Sequence, residues 1–148
     1  MPDDVVVRVD LPRPSWLVDP VISVGDAADL LGLPEPTLSH WLKMADALGV
    51  PMHRKVASSR RMTPHDVYRA AILRALYKTS FPASNWVFLR THEVTYRQGL
   101  PVLPGLLDQA EFVHPAIDGK PEARVLVDLS AVWLNIEPSL AKLAGGAR

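Results

Sequence analysis

Apolar residues recur every three or four positions through the middle of the chain, the spacing expected of helices that bury one face. Three such helices are predicted, at about 23–31, 35–48 and 63–78. Ser23 and Thr63 stand at the start of two of them, where each hydroxyl can accept a hydrogen bond from a free backbone N–H. The pattern therefore predicts two short helices around a tight turn, followed by a third, well-capped helix.

A short basic segment, MHRKVASSRRM, separates the second and third of these helices. Its basic pairs Arg54-Lys55 and Arg60-Arg61 flank a small, flexible centre at 56–59. Two short strands around that centre would place four cations on one hairpin, which could straddle a phosphate backbone. A solvated charged loop is the alternative, and the position directly after a helix pair favours the binding interpretation.

The second half of the chain shows no ligand motif and is predicted to be a small α+β region. Its expected elements are a helix at about 85–98, one or two helical turns at 106–110, a return strand at 124–129 and two short helices near the C-terminus. Asp118-Gly119 is a common hairpin signal before that strand; Ser130 is expected to cap the first short helix and Pro138 to end it. Two roles are weighted evenly for this region: dimerisation or partner binding, and simple completion of the fold.

The first 21 residues are predicted to form an arm, because Pro12, Pro14 and Pro20 interrupt any helix across them. The valines between positions 5 and 9 form either a short edge strand or a disordered arm. The Trp-Leu-Val segment at 16–18 is an apolar clip, which we expect to lie against the domain that follows.

Composition excludes several classes of site. The chain has no cysteine, so disulfides and thiolate metal sites are excluded. Its five histidines lack HExxH or HxH spacing, and neither a metal nor another cofactor is expected. No glycine-rich phosphate loop or nucleophile elbow is present, so an enzyme is not expected. The adjacent His92 and Glu93 are interpreted as a coincidence on a helix surface.

The net charge is zero, but the charges are unevenly distributed. The segment 22–78 carries eight Lys and Arg residues against five Asp and Glu residues, and most of its cations lie between Lys43 and Arg61. The N-terminus has no positive leader before an apolar run, and no apolar run approaches the roughly 18 residues of a membrane span. A cytoplasmic, nucleoid-associated protein without membrane contact is therefore expected.

The stretch ISVGDAADLLGLPEPTLSHW, followed by RRMTPHDVYRAAILRAL, resembles the winged helix-turn-helix domain of MerR-like regulators and excisionase-type proteins. Such domains carry the pattern S-x-x-x-A-x-x-L-G-x-x-x-x-T-L-x-x-W/Y and then R-x-Y-T-x-x-D-V. The matching residues are Ser23, Ala27, Leu30 or Leu31, Gly32, Thr37, Leu38, Trp41, Arg60 or Arg61, Thr63, Asp66 and Val67. The resemblance covers about 55 of the 148 residues.

The chain departs from that pattern in several places. Met62 stands where an aromatic residue is usual, and the link at 42–56 is longer than the family's, which would displace the wing. Prolines and glycines between 82 and 119 interrupt the long coiled-coil helix with which MerR regulators end, and a cysteine sensor is missing. Metal sensing and the usual coiled-coil dimer therefore do not carry over.

The resemblance implies DNA contacts from two elements. The residues expected to face the major groove are Thr37, Ser39, His40 and Lys43. The residues expected on the wing, against phosphates, are Arg54, Lys55, Arg60 and Arg61. Leu38 and Trp41 would lie in the core. The alternative for the second helix is a plain amphipathic helix whose polar face is solvated.

These elements predict a mainly α fold class with short β hairpins: a winged helix-turn-helix N-terminal domain plus a small α+β C-terminal region. The predicted domains are an arm at 1–21, a DNA-binding domain at 22–78 and a region for dimerisation or partner binding at 79–148.

The sequence favours a sequence-specific DNA-binding protein, a bacterial or phage transcriptional regulator that binds double-stranded DNA. A single copy offers few cations, so a homodimer on a two-part site is expected. RNA polymerase or another regulator is a further candidate partner. The alternatives are an architectural excisionase-like or DNA-packaging protein, and a protein-interaction adaptor that uses the helix-turn-helix as a scaffold.

Overall fold

Five helices and seven strands make up the part of the chain that the computed structural model describes, residues 13–81 and 83–146. In chain order they are β1 (Ile22–Ser23), α1 (Val24–Leu31), α2 (Glu35–Ala47), β2 (Arg54–Val56), β3 (Ser59–Met62), α3 (Pro64–Lys78), α4 (Asn85–Thr95), β4 (Tyr96–Arg97), β5 (Leu100–Pro101), β6 (Gln109–His114), β7 (Ala123–Asp128) and α5 (Leu129–Gly146). The strands form three separate antiparallel sheets, in the orders β1-β3-β2, β4-β5 and β6-β7. The valines at 5–9, predicted to form an edge strand or a disordered arm, lie outside the described residues.

The helix starts predicted from the Ser23 and Thr63 caps are confirmed. Ser23 Oγ accepts a hydrogen bond from the Asp26 N–H at 3.0 Å, and Gly32 ends α1 in the left-handed conformation, at a φ of 64°. At the start of α3, Thr63 Oγ1 accepts from the Asp66 N–H at 2.9 Å. The Asp66 carboxylate accepts from the Thr63 N–H at 3.0 Å in return, which completes a capping box.

The expectation of a mainly α fold is wrong. The described residues are 48% helical and 21% strand, with three small separate sheets, and the protein is therefore a mixed α+β protein. The basic hairpin and the β6-β7 hairpin follow from the sequence, but β1, β4 and β5 have only two residues each. A two-residue strand is too short to show the alternation of apolar and polar positions by which a strand is recognised.

Two elements of the second half differ from their predicted form. The helix expected at 85–98 ends at Thr95, and Tyr96 continues into the β4-β5 hairpin through a turn at Gln98 and Gly99, whose φ values are 53° and 77°. The helical turns expected at 106–110 are absent from the described residues, because β6 begins at Gln109. Six strand residues there pair with β7 across the predicted Asp118-Gly119 turn.

The last helix is longer than predicted, because Pro138 lies inside it instead of ending it. Asp128 caps this helix in place of Ser130, since its Oδ1 accepts from the Ala131 N–H at 3.0 Å. A proline removes one backbone donor, so one carbonyl on its side of the helix loses its partner. Pro138 is exposed, and water can solvate that carbonyl, while the opposite face buries Trp133 and Leu140.

One hydrophobic cluster runs through both halves of the described chain, from α1 and α2 to β7 and α5. Helix α3 lies at its centre and packs against α4 and α5. The apolar clip is confirmed: Leu17 is fully buried, Trp16 lies 6.3 Å from Trp133 between ring centroids, and the Leu17 carbonyl accepts from the His65 N–H. The domain boundary near residue 78 stays a prediction.

The tip of the basic hairpin holds two non-glycine residues at positive φ, Ala57 at 49° and Ser58 at 69°. Both angles match a two-residue turn that Asn-Gly adopts with less strain than other pairs. Replacing Ala57-Ser58 with Asn-Gly is therefore expected to raise the free energy of unfolding by about 1 kcal/mol, measured by urea denaturation. Ala57→Val is expected to shift it in the opposite direction, because a β-branched residue tolerates positive φ least.

Candidate nucleic-acid interface

The basic hairpin places its four cations in two directly opposed pairs. In the register of β2 and β3, Arg54 lies across from Arg61, and Lys55 lies across from Arg60. Like charges opposite each other on neighbouring strands destabilise a hairpin. No ion pair within the described residues involves any of these four side chains. The hairpin therefore concentrates positive charge, and within the described residues only Arg54 lies near enough to a carboxylate, that of Asp66, to affect its pKa.

The two pairs lie on opposite faces of the hairpin, because side chains alternate along a strand. Lys55 and Arg60 share the face that, two residues further along β3, buries Met62 in the core. Arg54 and Arg61 lie on the other face. The prediction that the four cations lie on one hairpin is thus confirmed, but one pair lies on each face of it. A hairpin that is basic on both faces suits insertion against a phosphate backbone.

One hydrogen bond joins the hairpin to helix α2. The Arg60 guanidinium donates to Ser39 Oγ at 3.0 Å. Ser39 is half-buried, and its hydroxyl therefore orients Arg60 instead of standing free for a base edge. This contact brings the two predicted groups of site residues, the polar face of α2 and the basic hairpin, onto one continuous surface.

The remaining candidate residues of α2 are accessible to different degrees. His40 and Lys43 are exposed, and Thr37 is half-buried. Leu38 is fully buried and Trp41 is 4% exposed, so both lie in the core, as the resemblance implies. The polar face of α2 therefore offers His40 and Lys43 as its most accessible groups, one turn apart.

Comparisons with known proteins identify no relative of this chain. No protein-family model, curated protein or solved structure matches the chain. Within residues 13–81 and 83–146, no helix is long and apolar enough to cross a membrane. The same described residues contain no group of three His, Asp or Glu side chains placed to hold a metal ion.

A partly buried polar cluster, which the sequence does not reveal, contacts the link that leads into the hairpin. It consists of His65, Asp66, Arg69, His92 and Tyr96, from α3, α4 and β4. The His92 and Tyr96 rings stack with centroids 4.4 Å apart, and the Arg69 guanidinium lies 5.3 Å from the Tyr96 ring centroid. His92 thus has structural partners in the cluster, and the interpretation of its adjacency to Glu93 as a coincidence stays a prediction.

Arg69 fixes the segment that leads from α2 into the hairpin. Its side chain is 1% exposed and donates to the Pro51 carbonyl at 2.7 Å and to the Val50 carbonyl at 3.0 Å. It also lies 3.5 Å from the Asp66 carboxylate. Burial lowers the pKa of Arg69, and it raises the pKa of Asp66 against the opposing effects of the Thr63 N–H and Arg69. Arg69 thus anchors the long link before the hairpin to the central helix.

A cavity of about 290 Å³ connects this cluster with the hairpin. Its lining includes Arg54 at the base of the hairpin, together with His65, Asp66 and Tyr96. The one signal of the cluster in the sequence is Arg69, three residues after the capping Asp66 and within an otherwise apolar helical run. A lone arginine at such a position does not reveal which carbonyls it will reach, because those lie on a distant segment.

His65 is held neutral inside this cluster. Its Nε2 lies 2.9 Å from the Thr95 carbonyl and 3.3 Å from the Val102 carbonyl. Because a carbonyl can only accept, Nε2 carries the proton and Nδ1 is the unprotonated nitrogen of the neutral ring. Burial, reinforced by the nearby Arg69 charge, lowers the pKa of His65 from 6.5 to about 4.

This lowered pKa predicts a loss of stability at acidic pH. Between pH 6.5 and about 4 the unfolded chain binds a proton at His65 that the folded chain does not, so unfolding becomes easier as the pH falls through this window. The His65 contribution to the free energy of unfolding is expected to fall by about 2 kcal/mol from pH 7 to pH 5. His65→Gln, which keeps an N–H donor, should reduce the pH dependence of urea unfolding by that amount. An unchanged pH dependence would show that His65 titrates normally.

Proposed function

We propose that this chain is a sequence-specific DNA-binding protein, a transcriptional regulator of the MerR-like or excisionase-like kind. One observation carries the proposal: a hairpin with two directly opposed pairs of cations, none of them in an ion pair within the described residues, is hydrogen-bonded to the polar face of α2. Duplex DNA presents about one negative charge per 1.7 Å of its axis, so it supplies a regular array of anions to such a hairpin.

The hairpin is the element that holds the phosphate backbone. Pairing Arg54 with Arg61 and Lys55 with Arg60 costs stability in the free protein, and phosphates between or beside them remove that repulsion. Affinity gained in this way depends on charge and not on base sequence. The hairpin therefore supplies position and strength of binding, and specificity must come from elsewhere.

Helix α2 is the element that reads bases. His40 and Lys43 are exposed on its polar face, and Thr37 contributes a hydroxyl beside them. Imidazole, ammonium and hydroxyl groups donate to the acceptors that base edges present in the major groove. Ser39 acts by holding Arg60, so the helix and hairpin engage the duplex as one unit.

Specific binding by this chain uses two copies on a two-part site, because one copy offers few direct base contacts. The protein then acts in the bacterial cytoplasm, on the nucleoid or on phage DNA, where RNA polymerase or a second regulator is its further partner.

A genome-wide footprint of the tagged protein in its own host tests this function. Sharp peaks that share a short, two-part motif are expected. Broad enrichment without a motif would instead favour an architectural or packaging protein, which binds through charge alone. A flat profile would contradict DNA binding and favour the protein-interaction adaptor.

A further inference from the structure

The cavity of about 290 Å³ at the base of the basic hairpin has a buried inner end and an exposed outer end. His65 and Asp66, which both line it, are 1% and 8% exposed, whereas Arg54 is exposed. The Arg54 guanidinium therefore belongs to the side of the cavity that faces solvent. A volume of this size holds about ten water-sized groups, so it fits a small molecule better than a nucleotide or a peptide.

Two imidazole nitrogens at this cavity are acceptors without a donor. His65 uses Nε2 for the carbonyls of Thr95 and Val102, and no hydrogen bond within the described residues is made at its Nδ1. His53, which also lines the cavity, has its Nε2 3.7 Å from the Asp46 carboxylate. Its Nδ1 is buried without a hydrogen-bond partner among the described residues. Because a buried acceptor without a donor costs free energy, the two nitrogens mark a place for hydrogen-bond donors.

The Asp66 carboxylate is a third acceptor at the same cavity. It accepts from the Thr63 N–H at 3.0 Å and from the Arg69 guanidinium at 3.5 Å. A carboxylate has about four acceptor positions, so it retains the capacity for a further donor. An ammonium group carries three N–H donors and no acceptor. The three acceptors of the cavity, two imidazole nitrogens and one carboxylate, therefore match the donors of one ammonium group.

The charges around the cavity require an anionic group on the same molecule. Arg54 lines the cavity, and the charges of Arg69 and Arg13 both act on His65 by lowering its pKa. Asp66 is the one carboxylate of the lining within the described residues. A simple amine would add to this excess of positive charge, whereas a carboxylate on the ligand reduces it. The planar guanidinium of Arg54 can donate two parallel hydrogen bonds to such a carboxylate.

We propose that this cavity binds a free α-amino acid with an apolar side chain. The ammonium group lies among the three acceptors, and the carboxylate lies against the Arg54 guanidinium. The apolar side chain of the ligand lies against Val18, Pro51 and Pro101, which are the apolar residues of the lining. Burial of that side chain adds affinity that a small polar zwitterion would lack.

A bound amino acid also regulates DNA binding. This consequence rests on the proposed function, in which Arg54 holds a phosphate. The carboxylate of the amino acid and a DNA phosphate compete for the same guanidinium, so occupancy removes one of the four hairpin cations from the duplex. The slope of log affinity against log salt concentration is expected to change from about −4 to about −3 for each copy. At about 0.1 M salt the DNA affinity should fall by about tenfold.

Isothermal titration calorimetry of the full chain without DNA tests the amino-acid site. The probes are L-leucine, L-valine and L-methionine, and at least one is expected to bind with a Kd of about 1 mM or below. Two relatives of leucine separate its charged groups. L-leucinamide lacks the carboxylate and N-acetyl-L-leucine lacks the ammonium group, and each should bind at least about tenfold more weakly than leucine.

Arg54→Gln should weaken leucine binding by at least about tenfold, because it removes the partner of the carboxylate. Lys55→Gln is the matched control on the same strand, since it removes the same charge from the other face of the hairpin. It should weaken DNA binding but leave the leucine affinity unchanged. Both side chains are exposed, so circular dichroism should show both variants folded.

Four results would overturn all or part of this inference. Absence of binding by all three amino acids would overturn the site, as would equal binding of leucine and leucinamide or equal loss of affinity in the two variants. Leucine that binds without changing the salt slope of DNA binding would overturn the regulation. A chain that binds duplex DNA but none of the amino acids contradicts only this site. A chain that binds leucine but no duplex contradicts only the proposed function.

Discussion

Replacing Arg69 with methionine is expected to lower the free energy of unfolding by about 3–5 kcal/mol. The guanidinium is almost completely buried and donates to the carbonyls of Val50 and Pro51 while it compensates the buried Asp66 carboxylate. Methionine fills a similar length but leaves two carbonyls without that donor and one carboxylate without its cation. Urea denaturation monitored by circular dichroism at neutral pH measures the loss.

Arg74, on the same helix, provides the matched control. It is half-buried and donates to a single carbonyl, that of Leu31, at 2.8 Å. Arg74→Met should therefore cost only about 1 kcal/mol. A double-mutant cycle with Asp66→Asn should show a smaller cost of Arg69→Met once the carboxylate charge is gone. Equal costs for Arg69→Met and Arg74→Met would contradict the anchoring role of Arg69.

Replacing all four hairpin cations with glutamine is expected to weaken DNA binding by about a hundred- to a thousandfold at low salt. The variant R54Q/K55Q/R60Q/R61Q removes four phosphate partners while keeping side chains of similar length. The same variant should unfold at close to the wild-type free energy, because the relief of two opposed like-charge pairs offsets the loss of the Arg60–Ser39 hydrogen bond. Fluorescence anisotropy with labelled duplex and urea denaturation measure the two effects.

A control of equal charge separates local contact from net charge. Lys78, Arg97, Lys120 and Lys142 are exposed and lie outside the hairpin and α2. Their replacement by glutamine changes the net charge by the same amount and should change DNA affinity several-fold at most. Equal loss of affinity in both variants would contradict a specific role for the hairpin.

Local chemistry made the first half predictable. Ser23 and Thr63 cap their helices because a hydroxyl at that position accepts from a backbone N–H a few residues away. The basic hairpin was predictable from the small residues between two charged pairs, because its formation needs only the pairing of two strands that are neighbours in sequence. The residues of the candidate site were also predicted from the sequence. The placement of Arg60 and Arg61 on opposite faces of the hairpin, and the hydrogen bond from Arg60 to Ser39, were not predicted.

Contacts between distant segments decided the rest. Pro138 would end an isolated helix, but burial of Trp133 and Leu140 on its far side stabilises the helix beyond it. Similarly, the contacts of Arg69 with Pro51 and His92 form only when α4 packs on α3 and the link near Pro51 lies over Arg69. Neither packing arrangement has a local signal, so the sequence alone could not reveal the cluster.

The salt dependence of DNA binding by the wild-type chain tests the central claim most directly. If the four hairpin cations each neutralise one phosphate, a plot of log affinity against log salt concentration should have a slope of about −4 for each copy engaged. Measurement on a duplex of mixed sequence, before any operator is known, is sufficient because phosphate contacts do not depend on sequence. Absence of binding at low salt, or a slope near zero, would contradict the claim that this hairpin holds a nucleic-acid backbone.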